Sequence, residues 1–267
     1  MKTVVITGSA RGFGFEMLKL FRQKNYNVVL CDVSKESLKK AEEELLMMNY
    51  KGKVLAFETD ITNEEDVKKL IKETLNKVKT IDIWINNAGV NQPNKPIWEL
   101  DKKTIDRLID IDLKGTILCS KLIMEVMIEQ KHGQIFNVEG HGSNDAKIVG
   151  LSLYGTAKRG LTYFTEALAK EVEELNTNVL VGKITPGIMI TNFLHNALGD
   201  GEKIVLDEKT KKVYNILGDY PETIANFMVD KIINNTKNNV KFMWLTNRRA
   251  ALRFMTAGFN KRNFFED

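Results

Sequence analysis

Short runs of apolar and β-branched residues alternate with longer amphipathic segments through the first two-thirds of the chain, and no other feature constrains the fold as much. Thr3-Val4-Val5-Ile6-Thr7 is the first run, and the segment from Phe15 to Lys24 follows it with helical periodicity. Asn27 to Cys31, Lys53 to Phe57, Ile81 to Ile85, Gln134 to Val138 and Asn178 to Ile184 repeat the strand pattern. Helices are expected at Ser34–Asn49, Glu64–Val78, Lys102–Gln130 and Ser152–Leu175. Ser34 is placed to cap the first of these, and Thr62, with Glu65 as capping-box partner, the second. Strands that are apolar throughout belong to a parallel sheet covered on both faces. A chain so patterned is expected to form one doubly wound α/β domain across residues 1–267, without linker or internal repeat.

That length suffices for a full core. The charge, 39 basic against 35 acidic residues, is spread along the chain and gives no clustered basic face for nucleic acid. Cys31 and Cys119 lie in apolar runs, without metal-ligand spacing, and read as buried thiols in a reducing compartment. No metal site is expected. Only Met1-Lys2 precedes the first apolar run, and no stretch approaches a membrane span, so a cytoplasmic protein is expected.

The first strand runs into Thr7-Gly8-Ser9-Ala10-Arg11-Gly12-Phe13-Gly14 and then a helix, the pattern of a Rossmann-type phosphate turn. Glycines there let the backbone approach a pyrophosphate, which the helix N-terminus stabilises. Asp32 ends the second strand and is either a ribose acceptor, which would repel a 2′-phosphate, or part of a surface turn. Arg11 would instead attract a phosphate, so NAD is favoured with NADP left open. Asp60 and Ile61 follow the third strand, at the adenine edge; Asn86-Asn87-Ala88-Gly89 follows the fourth and fits the cofactor floor. Tyr154 and Lys158 stand four apart and share a helical face, so the ammonium can sit beside the phenol. Tyrosine is a poor acid–base group at neutral pH with its ordinary pKa of about 10, and a neighbouring cation favours the phenolate.

With the glycine turn, Asp60, Asn-Asn-Ala-Gly, Tyr154-x-x-x-Lys158 and Pro186-Gly187 in order, the chain resembles the short-chain dehydrogenase/reductase family from Thr3 to about Asn192. The resemblance implies hydride exchange between nicotinamide and a carbinol or carbonyl carbon. Tyr154 would move the hydroxyl proton, and Lys158 would lower the tyrosine pKa and hold the nicotinamide ribose. Pro186, Gly187, Ile188 and Thr191 would line the nicotinamide side. A homodimer or homotetramer, through the helices at 102–130 and 152–175, is also implied.

Two positions depart from the family. Its helical asparagine corresponds to Asp112, either a proton-relay member, the relay holding a water through a kinked helix, or a structural replacement. Its serine, counted forward from Asn137, falls on Gly140, and counted back from Tyr154 falls on His141. Ser143 is the nearest hydroxyl and the first candidate for the substrate-oxygen hydrogen bond, with His141 as second donor. The loop Asn137-Val138-Glu139-Gly140-His141-Gly142-Ser143 resembles the chlorophyll b reductase-like branch, as do Tyr220 to Ala225 and Trp244-Leu245-Thr246. A further resemblance, in Trp84 to Pro93 and Pro96 to Leu100, is to bacterial hydroxysteroid dehydrogenases acting on bile acids.

A substrate lid is expected over 188–214, with Met189, Ile190, Phe193, Leu194 and Leu198 facing inward, Gly199-Asp200-Gly201 as hinge and Trp98 as an aromatic wall. The tail at 244–267 reads as a basic amphipathic helix that docks on the domain or a second subunit, or lies on a membrane surface; Arg249 is a candidate receiver for a substrate carboxylate. The function implied is an NAD(P)-dependent oxidoreductase interconverting a secondary alcohol and a ketone on a bulky apolar substrate, a bile acid as first choice. The alternatives are a 3-oxoacyl-thioester reductase, a reductase of another polycyclic ketone, and a non-catalytic NAD-binding regulatory protein.

Overall fold

The computed structural model of the chain describes residues 1–191, 206–259 and 262–265. Its elements run β1 (Thr3–Thr7), α1 (Gly12–Gln23), β2 (Asn27–Asp32), α2 (Lys35–Met47), β3 (Val54–Glu58), α3 (Glu64–Lys77) and β4 (Ile83–Asn86). Then follow α4 (Lys102–Ile109), a π-helical turn (Asp110–Gly115), α5 (Thr116–Gln130), β5 (His132–Val138), α6 (Ser152–Glu173) and β6 (Asn178–Thr185). The last are α7 (Glu208–Leu217), α8 (Pro221–Ile233), β7 (Val240–Met243) and α9 (Asn247–Thr256).

The strands form one sheet in the order β3-β2-β1-β4-β5-β6-β7, each pair parallel. Successive side chains along a strand leave opposite faces, so each strand feeds two cores. Val4, Ile6, Val28, Leu30, Ile83, Ile85 and Phe136 pack with α1, α2 and α8. Val5, Val29, Cys31, Trp84, Ile135 and Val181 pack with α3, α5 and α6. This double burial is why the strands carry no polar face.

Ser34 caps α2, its hydroxyl accepting from the Ser37 N–H at 3.3 Å. Pro221 opens α8, as its fixed φ favours. The cap of α3 is Asn63 and not Thr62: the Asp60 carboxylate takes the Thr62 N–H and hydroxyl, while Asn63 Oδ1 accepts from Glu65 and Asp66. The expected helix at 102–130 is continuous but wound through the π turn. β7 lies beyond the runs that the sequence pattern marked as strands; it is four residues long, with the exposed Lys241 in its apolar pattern. Both cysteines are free and buried. Among the described residues no helix is long and apolar enough to cross a membrane, and no cluster of metal-ligating side chains occurs.

Phe21 is fully buried between α1 and the sheet, its ring edge-on to Tyr26 at 5.2 Å. Phe21→Ala is expected to lower unfolding free energy by about 3–5 kcal/mol, read by chemical denaturation, because the cavity cannot close around so large a loss.

Candidate active site

In an open parallel sheet, ligands bind at the carboxyl ends of the strands, beside the point where strand order reverses. Here the order reverses between β1 and β4. A cavity of 1510 Å³ opens there, lined by the residues that follow β1 to β6. Gly8 and Gly12 follow β1; Asp32 ends β2; Asp60 and Ile61 follow β3; Asn87, Ala88 and Gly89 follow β4; Gly140 and His141 follow β5; Pro186, Gly187, Ile188, Met189, Ile190 and Thr191 follow β6.

The β1 end fits a dinucleotide. Gly8 adopts φ +59°, and a Cβ there would lie 2.6 Å from the Ala88 Cα, so only glycine lets the turn lie against the β4 loop. Gly12, at φ +60°, has open space where its Cβ would be. Arg11, at the N-cap of α1, makes no side-chain cap, so its side chain does not compete for the N–H groups of the first helical turn, beside Gly12 and Phe13 on the cavity wall. Such a terminus receives an anion. Asp32 Oδ1 accepts from the Ser34 N–H at 3.1 Å, joining the surface turn while keeping the carboxylate on the cavity wall.

Two predicted cofactor residues sit beneath this surface. Ser9 is fully buried, its hydroxyl donating to the Ile6 carbonyl and accepting from the Cys31 N–H. It locks β1 to β2 and does not line the cavity. Gly14 lies against the Asn87 side chain, where a Cβ would come 2.6 Å from Nδ2, so it serves close packing. Asn87 in turn donates to the Thr7 and Gly8 carbonyls at 3.0 Å, bracing the turn.

Tyr154 and Lys158 line the cavity from α6. Lys158 Nζ lies 3.0 Å from Asp112 Oδ2, an ion pair without the alignment of a straight hydrogen bond. Asp112 projects from the π turn, fully buried, and its Oδ1 accepts from the Val90 N–H at 2.7 Å. The π turn supplies the helix distortion expected around this position. Burial raises the Asp112 carboxyl above its ordinary range, with Lys158 and the Val90 N–H pulling it back. Burial opposes the Lys158 charge, but Asp112 foremost, then Tyr154, hold the ammonium above its ordinary value. Tyr154 is pushed up: burial raises it, Lys158 lowers it, and Asp112 raises it again.

The β5 loop corrects one expectation. Ser143 is buried away from the cavity, its hydroxyl donating to the Lys158 carbonyl and accepting from the Gly140 N–H, both at 3.3 Å. Gly140 occupies the serine slot, and a Cβ there would collide with the Tyr154 hydroxyl. His141 lines the cavity; its Nε2 is shielded from solvent and has no hydrogen-bond partner among the described residues. Burial holds this imidazole below its ordinary pKa. It is therefore neutral near pH 7, with one ring nitrogen able to donate.

Trp98 is not a wall of the site: its side chain is 81% exposed, on a short turn outside the cavity lining. Met189 does line it, with Ile190, Ile148, Leu151, Val213 and Tyr214. Phe193, Leu194, Leu198 and Gly199-Asp200-Gly201 lie outside the described residues. Arg249 is engaged elsewhere: it donates to the Trp244 carbonyl at 2.7 Å and stacks on that indole at 3.8 Å. The tail docks on the domain, with Arg253 and Arg262 both paired to Asp219. The Asp219 backbone exchanges hydrogen bonds with Ile188 and Ile190, so the tail braces the β6 loop.

Gln92 and Glu139 were not among the expected site residues. Glu139, its side chain fully buried, accepts from the Thr162 and Thr185 hydroxyls and pairs with Lys241 at 2.7 Å, tying β5, β6, α6 and β7 together. Gln92 is fully buried; its Oε1 accepts from the Tyr154 N–H at 2.7 Å and its Nε2 donates to the Gly150 carbonyl. It satisfies the first turn of α6, where Leu151 offers no side-chain cap. The only sequence signal was an amide directly before Pro93, one of three between the β4 end and that proline.

Residues 2–200 match the short chain dehydrogenase family model. The chain is 31% identical over 282 residues to a chloroplastic protein of Arabidopsis thaliana named a probable chlorophyll(ide) b reductase; the match covers 100% of this chain and 55% of that protein, so the chain spans little more than half its length. It is 31% identical to a 3-oxoacyl-[acyl-carrier-protein] reductase of Aquifex aeolicus, over 85% of this chain and 88% of that one. A crystal structure of a short chain dehydrogenase from Bacillus anthracis superimposes with TM-score 0.78 at 27% identity, covering 91% and 94% of the two chains. The likeness to chlorophyll b reductases that the β5 loop suggests thus extends over the whole chain.

Gln92→Leu removes the hydrogen bonds to Tyr154 and Gly150, with a third to the Pro93 carbonyl, and frees the start of α6. It is expected to cut kcat about 10²-fold, the scale of a misplaced reacting group, while cofactor affinity at the untouched glycine turn stays constant. Gln92→Glu keeps the acceptor for the Tyr154 N–H and should recover part of the loss. Equal falls in kcat and cofactor affinity would mean that Gln92 supports the fold generally.

Proposed function

The chain belongs to the short-chain dehydrogenase family, and from that premise we propose that it reduces a ketone on a bulky, rigid, largely apolar substrate, or oxidises the corresponding secondary alcohol, with a hydroxysteroid of the bile-acid type as first candidate. It is an oxidoreductase using NAD or NADP. When bound, the nicotinamide cofactor supplies or accepts the hydride.

The chain's residues do the rest. Gly8, Gly12 and the N-terminus of α1 hold the pyrophosphate, and Asp32 takes the adenosine ribose, which favours NAD because its carboxylate repels a 2′-phosphate. Lys158 orients the nicotinamide ribose. Tyr154 carries the proton: in reduction its Oη–H passes to the substrate oxygen as the carbonyl carbon is reduced, and the phenolate regains a proton from solvent. In oxidation the phenolate removes the hydroxyl proton. His141, on the cavity wall next to Gly140, takes the place of the missing serine hydroxyl as donor to the substrate oxygen; its Nε2 is shielded from solvent, so the ring must turn to present that nitrogen.

The observation that carries the substrate size is the cavity. Its 1510 Å³ exceeds the few hundred to about 1000 Å³ of an ordinary small-molecule pocket. That leaves room for a dinucleotide and a large second molecule against Ile148, Leu151, Met189 and Tyr214. A 3-oxoacyl thioester is the second reading, favoured by the likeness to the Aquifex aeolicus reductase. A non-catalytic cofactor-binding role is opposed by the intact Tyr154 and Lys158 on the cavity wall. Self-association across α4, α5 and α6 is supported by Tyr163, which stands 76% exposed on α6.

NAD and NADP turnover against hydroxysteroids, other polycyclic ketones and 3-oxoacyl thioesters, with Tyr154→Phe alongside, tests the reading. Conversion of one steroid regioisomer, lost at least about 10²-fold in the variant, is the expected result. Turnover of thioesters alone would assign the second reading. His141→Ala should raise KM or lower kcat for that substrate without changing cofactor affinity.

A further inference from the structure

Tyr154, Lys158 and Asp112 form a buried trio whose charges can be counted. Asp112 has no exposed surface and Lys158 is 6% exposed, so neither is compensated by solvent. A buried charge without a partner is costly, and the stable state of such a cluster is the one nearest neutrality. With aspartate at 112 and lysine at 158 both ionised, neutrality requires Tyr154 as the phenol. With an uncharged amide at 112, the lysine charge would be balanced only if Tyr154 became the phenolate.

Among the described residues, the charged and titratable groups that act on Tyr154 and Lys158 leave this count intact. Lys158 shares α6, and Asp112 comes from the π turn at 3.0 Å from the ammonium. Glu139 approaches from the β5 loop, but its carboxylate is balanced by Lys241 at 2.7 Å and by the Thr162 and Thr185 hydroxyls. His141, from the same loop, is kept neutral by burial.

We propose that Asp112 is a positioning residue that compensates Lys158 and so holds Tyr154 in its protonated, proton-donating form through neutral and alkaline pH. The site is thereby set for carbonyl reduction, and alcohol oxidation waits on an alkaline medium. This rests on the reading of Tyr154 as the proton carrier. The sign follows: reduction needs the phenol and fails as pH rises through the Tyr154 pKa, whereas oxidation needs the phenolate and rises through it.

Asp112→Asn is the decisive variant, because an amide oxygen can still accept from the Val90 N–H while the charge is gone. In the cofactor-free protein, phenolate absorbance is titrated in the parent, in Asp112→Asn and in each combined with Tyr154→Phe, the differences isolating Tyr154. The parent is expected to titrate at or above the ordinary tyrosine value of about 10, and Asp112→Asn roughly one to two units lower. The alkaline rise of kcat/KM for oxidation should move down by the same interval. A parent Tyr154 titrating near neutrality would overturn the proposal even if the variant failed to fold. Coincident titrations of parent and variant would leave Asp112 only as the support of the Val90 loop. Turnover surviving in Tyr154→Phe would instead sink the proton-carrier reading, and the titrations would still decide the state of the phenol.

Discussion

Burying both faces of a parallel sheet is the constraint on which this structure depends. Once the strand side chains are committed to two apolar cores, ionisable groups have room mainly at the strand ends and the helix surfaces. The carboxyl ends then concentrate what the cores reject: the glycine turn, Asp32, the β4 amides, the β5 loop and the β6 loop. The reversal of strand order between β1 and β4 parts the flanking helices there, so the polar rim surrounds a cavity. Site and fold thus have one cause.

Much of this was legible because the signals are local. Uniformly apolar strands and a glycine turn between strand and helix are read within a dozen residues, and Tyr154 and Lys158 share a face by helical spacing alone. What escaped depends on partners distant in the chain. Gln92 meets Tyr154 across 62 residues, and Glu139 meets Thr185 across 46. Ser143 has the right chemistry a few residues beyond the serine slot, but its hydroxyl is turned onto the Lys158 carbonyl. Trp98 differs for another reason: proximity in sequence to a strand end does not set the direction of a ring, and the turn at 97–99 directs this one to solvent. Thr62 lost its capping role to competition, since Asp60 already holds its hydroxyl.

The β5 loop shows two departures acting together. A serine at the Gly140 position would place its Cβ in the space of the Tyr154 hydroxyl, so the glycine and the tyrosine position are coupled. Gly142, at φ +95°, carries the backbone across Gly155 of α6, where any Cβ would meet the helix. With glycine in the serine slot, His141 is the β5-loop residue on the cavity wall whose side chain can donate a hydrogen bond, and its burial keeps it neutral. A neutral donor is consistent with the charge count of the site, where an imidazolium would add a positive charge and favour the phenolate.

The same bookkeeping explains why aspartate is tolerated at position 112 at all. An isolated carboxylate at full burial would take up a proton. The Lys158 ammonium and the Val90 N–H both stabilise the anion, and the lysine, also buried, needs the counter-charge equally. Each makes the other's ionisation affordable, and removing either leaves a bare charge. The cost falls on Tyr154, because a lysine engaged by a full negative charge exerts less field on the phenol than one paired with a dipole. A site arranged in this way gives up easy formation of the phenolate and gains a proton donor that persists into alkaline solution, which suits the chemistry of reduction.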